Sequence, residues 1–296
     1  QQVDNLCKGD VVEFSDSRNV QRFRLGWISP KKTRDLYRQR PELFVLDPAA
    51  EYTTQANNDK RIVETITAGY LRAMLDVATD LNGSDIAAGD VNEMLDFGII
   101  AMGRFGGEEL GFGSDADVMF VYKTKPGTDG AVAQKVAERI ISELRRLTAD
   151  QVLEFELDMD LRPEGKNGPV ARSIESYAAY YERWANTWEA QALLRARPIA
   201  GSPELQSEFL ELINKYRYPT QLAEAAVIEI RRIKARVETE RLPLGADPKR
   251  HLKLGRGSLS DVEWLVQLFQ MQFGNEHPSI RTPQTLAALD AMVAEK

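Results

Sequence analysis

The stretch GRFGGEELGFGSDADVMFVY, residues 103–122, constrains the fold of this chain more than any other. A run as β-forming as VMFVY reads as a strand. Alternate side chains of a strand share a face, so Asp115 and Asp117 at its start aim both carboxylates at one point. Two carboxylates held that close repel, and divalent cations relieve the repulsion. A pair of ions about 3.5–4 Å apart clamps the attacking and leaving oxygens in transfer at phosphorus, and Mg2+, hard and oxygen-seeking, suits such donors. Upstream, Gly106 and Gly107 permit a close backbone approach that a side chain would block, and successive amides in such turns form a concavity for phosphate oxygens. Ser114 adds a hydroxyl beside them. Taken alone, the turn fits a glycine- and aspartate-rich hairpin equally well.

A second acidic pattern follows in EFELDMDLRPEG. Glu154, Glu156, Asp158 and Asp160 alternate with Phe155, Leu157, Met159 and Leu161, so a strand here has one acidic and one apolar face. A solvated edge strand carries the same pattern, and spacing does not choose which of the four carboxylates joins the aspartate pair.

Around these stretches the chain divides into three parts. Residues 1–56 are a partly helical lead-in, in which SPKKTRDLYRQRPELF reads as a helix with Ser29 as N-cap and Pro30 at its first position. Residues 57–170 alternate helix and strand: DKRIVETITAGYLRAMLDVATDL, FGIIAMG, VMFVY, AVAQKVAERIISELRRL and VLEFELDMDL. Val132, Val136, Ile140, Ile141 and Leu144 give the second of these helices one apolar face. From about residue 171 to 296 strand signals stop and helices follow one another, punctuated at RPIAGSPE, KYRYPT, RLPLGADP and GNEHPS. The expected class is therefore α+β, a small mixed sheet with helices followed by an all-helical domain.

Composition narrows the chemistry. Only His251 and His277 are present, which disfavours a histidine-rich zinc site or a Ser-His-Asp hydrolase and leaves the work to carboxylates. The net charge of −7 argues against nucleic-acid binding, which draws its affinity from a basic surface. No apolar run is long enough for a membrane span, no basic-then-apolar leader opens the chain, and a lone Cys7 forms no internal disulfide, so a cytoplasmic protein is expected.

The glycine turn, the Asp-x-Asp strand and the later strand carboxylate resemble the DNA polymerase β-like nucleotidyltransferase superfamily. A closer resemblance rests on AMGRFGGEELGFGSDADVMFV, DLRPEGKNGPV, YAAYYERWANTWEAQALLRARPIAG, EIRRIKARVETERLPLGADP and LGRGSLSDVEWLVQLFQMQFG. Together, over about residues 97–296, these are similar to the glutamine synthetase adenylyltransferase/adenylyl-removing enzymes, which carry two related nucleotidyltransferase halves. The forms GSDADVMF, WEAQALLRAR and LGRGSLSDVEW look most like the C-terminal half of the actinobacterial branch, which in that family attaches AMP from ATP to a tyrosine of glutamine synthetase. The other half removes it by phosphorolysis.

The resemblance implies Asp115 and Asp117 as the metal-binding pair and Asp158 as the third carboxylate, near the nucleophile. It implies ATP on the Gly106-Gly107 turn and Ser114, with Mg2+ as cofactor. Asp160 departs from many relatives, which have arginine there, and would add negative charge if it pointed into the site. Arg104 and Arg162 are candidates for phosphate contacts, with a structural or exposed role equally open. Gln191, Arg195 and Arg197 could face a nucleotide across the domain cleft, with a helix-end salt bridge to Glu189 the plainer reading.

Elsewhere bland readings lead. The basic residues of EIRRIKARVETER read as a solvated face opposite Val227, Ile230, Ile233 and Val237, or secondarily as a docking surface. Ser260 and Glu263 fit a capping box opening a helix with Trp264, Leu265, Leu268 and Phe269 in the core, and Tyr177, Tyr180, Tyr181 and Trp184 also read as core. The rival functions are the adenylyl-removing activity, action on a PII-type signal protein, and a non-catalytic module docking glutamine synthetase or PII; an RNA or DNA nucleotidyltransferase of the same fold is disfavoured by the acidic balance and the helical-domain motifs.

Overall fold

The computed structural model describes residues 11–16, 19–24, 67–69, 71–72, 74–76, 78–79, 91–110, 114–148, 157–242, 245–247, 251–255 and 257–295. The expected helix over 29–44 lies outside them, as do Glu154, Glu156 and the first half of the expected acidic strand.

A two-stranded antiparallel ribbon, β1 (Val11–Asp16) and β2 (Asn19–Arg24), precedes a mixed five-stranded sheet. That sheet contains β3 (Leu95–Ala101), β4 (Ala116–Thr124), β5 (Leu157–Asp158), β6 (Ala171–Ser173) and β7 (Arg197–Gly201). On one side β4 pairs antiparallel with β3, and β3 in turn with β7. Along its other side β4 takes β5 at its start and β6 further on, both parallel.

Period-2 alternation sends β3 and β4 into two different cores. Phe97, Ile99, Ala101, Ala116, Val118, Phe120 and Tyr122 face one cluster, whose far wall is made by helical residues between 67 and 79 and by α3 (Gly130–Thr148). Ile100, Met102, Met119 and Val121 face the other, covered by α4 (Ile174–Trp184) and α6 (Pro203–Arg217). Two short helices, α1 (Val91–Met94) and α2 (Gly103–Gly106), bracket β3. Outside this sandwich, α5 (Thr187–Leu193), α7 (Glu224–Glu240) and α8 (Leu259–Phe273) meet around Leu194, Tyr218, Ile230 and Met271, and α9 (Thr285–Ala294) follows.

Several expectations are corrected. The sheet takes two strands from residues 171–201, where helices alone were expected. Both are cryptic in sequence: β6 is three residues long, and β7 contains Pro198, which cannot donate to a ladder. The proline is tolerated because β7 is an edge strand, with a register shift opposite Ile99 and Ile100. On α3 the buried face is Ala133, Val136, Ala137, Ile140, Ile141 and Leu144, while Val132 is 42% exposed in the first turn, where Asp129 caps the amides of Ala131 and Val132.

The N-cap of α8 is Ser258, two residues before the expected Ser260. Ser260 instead accepts from Lys234, and Glu263 lies 3.9 Å from both Arg104 and Arg195. Trp264 and Leu268 pack inward as expected, but Leu265 and Phe269 are exposed because the core lies on the opposite side of the helix, under Val266, Gln270 and Met271. Trp184, at the end of α4, is also exposed, with the Arg183 guanidinium over its ring.

Candidate active site

Asp117 is the second residue of β4 and the register partner of Asp158 on β5. Register partners in a parallel pair project to the same face, so the two carboxylates stand side by side. Asp115 precedes β4 and is exposed; Ala116 between the two aspartates is fully buried in the first core. The ladder thus sets Asp158 beside Asp117, a pairing that spacing alone left undecided.

The electrostatics agree. Burial pushes the Asp117 carboxyl up to about 6, with the negative charges of Asp158 and Asp115 adding to the rise and Lys253 opposing it. Asp160 stands apart from this set: its carboxylate lies 3.2 Å from Lys166 and 3.8 Å from Arg162, so two cations offset the extra charge. Its amide donates to Asp158 Oδ1 at 2.7 Å, which orients that carboxylate. Lys253, just before α8, carried no signal in the sequence reading; only the tertiary fold brings its charge to Asp117.

Gly103 was also missed. It has φ of +51°, and a Cβ there would overlap the Asp117 carboxylate, so the α2 turn lies directly against the site. The Met102 amide donates to the Asp117 carbonyl at 2.8 Å, which joins the turn to β4.

The glycine pair has a different neighbour from the one expected. A Cβ on Gly106 would overlap the Arg195 carbonyl, and one on Gly107 would overlap Arg195 Nη1, so the space left by the missing side chains holds Arg195. Both glycine amides are also engaged within the turn, Gly106 with the Met102 carbonyl at 2.6 Å and Gly107 with that of Gly103 at 3.1 Å. Nor does Arg195 bridge to Glu189. It reaches Glu109 at 2.9 Å and Thr285 Oγ1 at 2.6 Å, whereas Glu189 closes the α5 capping box with Asn186 and accepts from Tyr180. Gln191 donates to Gln267 on α8.

Of the remaining candidates, Arg162 is buried and committed to main-chain carbonyls, those of Met159 at 2.7 Å, Gly168 at 3.1 Å and Lys166 at 3.3 Å. It clasps the loop after β5. Arg104, on α2, is about a third exposed and 3.9 Å from Glu263; Ser114 is half-buried ahead of Asp115.

Asp115, Asp117 and Asp158 offer oxygen alone, the donor chemistry of a hard divalent cation; burial first, and the charges of Asp158 and Asp115 second, raise the Asp117 carboxyl, and a cation there would offset both. Among the described residues no three such side chains are already gathered at ligand distances. No helix among those residues is long and apolar enough to cross a membrane.

Comparison with known proteins places the chain. The sequence model of the glutamate-ammonia ligase adenylyltransferase family matches residues 60–212. The chain is 53% identical over 233 residues to a protein of Leifsonia xyli subsp. xyli, covering 79% of this chain and 23% of the relative. It is 55% identical over 203 residues to one of Streptomyces avermitilis, 67% of this chain and 20% of the relative, and 49% identical over 235 residues to one of Mycobacterium tuberculosis, 78% and 23%. All three bear the name bifunctional glutamine synthetase adenylyltransferase/adenylyl-removing enzyme. The chain spans about a quarter or less of the length of these relatives. By the family match over half its length, the chain belongs to the glutamate-ammonia ligase adenylyltransferase family.

Proposed function

We propose that this chain transfers AMP from ATP to a tyrosine of glutamine synthetase and releases pyrophosphate, on a nucleotidyltransferase unit of the DNA polymerase β-like type followed by a helical unit. The observation that carries this reading is the Asp117–Asp158 register pair, with Asp115 one alternate position away, in a chain of this family.

In the proposed reaction the tyrosine oxygen attacks the α-phosphorus, the bond to the bridging oxygen breaks, and pyrophosphate departs with the electron pair. Asp158 takes the phenolic proton, its carboxylate oriented by the Asp160 amide on Oδ1. A phenol with a pKa near 10 needs such a base at neutral pH. Asp115 and Asp117 would hold Mg2+, assisted by Asp158, and the ion would supply charge neutralisation at the phosphates. Ser114 and Arg104 would meet the triphosphate, and Lys253 approaches from the helical side with a further positive charge. Positioning and charge compensation account for most of the rate in such transfers.

The relatives' name also includes removal of the adenylyl group, which keeps phosphorolysis as the second reading. Incubation with α-labelled ATP, Mg2+ and unmodified glutamine synthetase tests the first: label should pass to the synthetase, and Asp117→Asn should abolish it. ADP formed from adenylylated synthetase and phosphate, with no labelling in the forward direction, would replace transfer by removal.

A further inference from the structure

We propose that Arg195 is a positioning residue for the transfer: seated on Gly106 and Gly107, it holds the α2 turn against Asp117 and ties that turn to the start of α9. This rests on the adenylyl-transfer reading above.

The geometry supplies each link. At one end of the turn, Gly103 touches the Asp117 carboxylate and the Met102 amide holds the Asp117 carbonyl. At the other end, Arg195 fills the space above both glycines, its carbonyl on Gly106 and its guanidinium on Gly107. Only the single helical turn Gly103–Gly106 links the ends, so a shift at Gly107 reaches Gly103 with no loop to absorb it.

Arg195 is itself fixed. Its side chain is 7% exposed, and its two terminal nitrogens reach Glu109 and Thr285. Glu109 closes the ring, because its other oxygen accepts the Thr285 amide at 2.8 Å. Burial raises the Glu109 carboxyl, but Arg195 and the amide and hydroxyl of Thr285 outweigh burial and hold it below the usual range. A second tie runs alongside: Gln284 donates to Glu108, and Arg197 on β7 donates to the carbonyls of Phe105 and Gly106 at 3.0 Å each. The planar fork of arginine meets a carboxylate and a hydroxyl at once, whereas a lysine ammonium is a single point of charge. The glycine pair is therefore explained by an arginine that must lie on it.

The test compares Arg195→Lys, Gly107→Ala and Thr285→Val with the parent chain, measuring kcat and KM for ATP in labelling of glutamine synthetase, and Mn2+ affinity without ATP by calorimetry. For Arg195→Lys, kcat should fall about 10- to 100-fold with KM for ATP within about threefold, the signature of misplaced rather than missing binding groups. Mn2+ should bind severalfold more weakly. Gly107→Ala, whose methyl displaces the guanidinium, should reproduce the defect and add little to it in the double variant. Where Arg195→Lys fails to fold, Thr285→Val, which leaves the Glu109 pair in place, should show a smaller loss in kcat with KM unchanged.

Wild-type kcat in a folded Arg195→Lys chain would overturn the proposal. A raised KM for ATP at unchanged kcat would also overturn it, because Arg195 would then bind the nucleotide. If the parent chain transfers no label, the transfer reading fails and the Mn2+ arm decides alone: weaker binding in the variants supports positioning, and equal binding refutes it. A parent chain that binds no Mn2+ overturns both.

Discussion

Asp117 and Asp158 are register partners across the parallel β4–β5 pair, two carboxylates on one face of the sheet with a third, Asp115, just ahead of them. Asp117 is half-buried beside two like charges, and its ionised form is held at a cost to the fold. The folded Asp117 carboxyl titrates near 6, above its ordinary 3.8, so the folded chain binds a proton more tightly than the unfolded one between these values. Stability from this group is present below about pH 3.8 and is lost as pH rises to 6.

Asp117→Asn should therefore separate function from stability. Transfer should fall by at least about a thousandfold, the scale for losing a group that stabilises developing charge. At pH 7.5 without metal, the variant should melt a few degrees above the parent, since relieving the carboxylate removes up to about 3 kcal/mol of unfavourable energy. A scanning calorimetry trace with a lower Tm would show that Asp117 is not repelled by its neighbours.

Divalent-cation binding should depend on pH through the same group. A proton on Asp117 competes with the cation, so Mn2+ affinity should rise as pH passes through about 6 and level off above 7. Lys253 opposes the upward shift, so Lys253→Ala should move the midpoint higher. Calorimetric titrations at half-unit steps from pH 5 to 8 would reveal a flat profile if Asp117 is not a ligand.

Arg162 offers a contrast between fold and binding. The carbonyls of Gly168, Met159 and Lys166 would lose the guanidinium in Arg162→Met, the first of them buried, costing about 1 to 3 kcal/mol, with KM for ATP unchanged in the folded fraction. A KM increase with Tm preserved would return Arg162 to the phosphate site.

The corrected face of α3 makes a simpler prediction. Ile140→Ala, fully buried between helix and sheet, should destabilise by about 2 to 5 kcal/mol, whereas Val132→Ala at the exposed first turn should stay within about 0.5 kcal/mol. Equal losses in urea melts would restore Val132 to the core.

Much of this site is legible without coordinates, and the reason is local. Alternation along VMFVY determines that Asp115 and Asp117 share a face with Ala116 turned away, and the helical spacing of Val136, Ile140, Ile141 and Leu144 determines which side of α3 meets the sheet. Neighbours three or four residues apart, or two apart in a strand, are set by backbone geometry alone.

The tertiary structure decided what depends on distant partners. Strand pairing chose Asp158 over Asp160, because β5 ends at Asp158 and the next residues turn toward Arg162 and Lys166. An edge position admitted Pro198 into the sheet, and a contact across 86 residues gave Arg195 to Glu109 instead of Glu189. The glycine pair shows the division most plainly. Two adjacent glycines announce that something approaches the backbone closely, but phosphate and guanidinium demand the same missing Cβ, and only packing places Arg195 there.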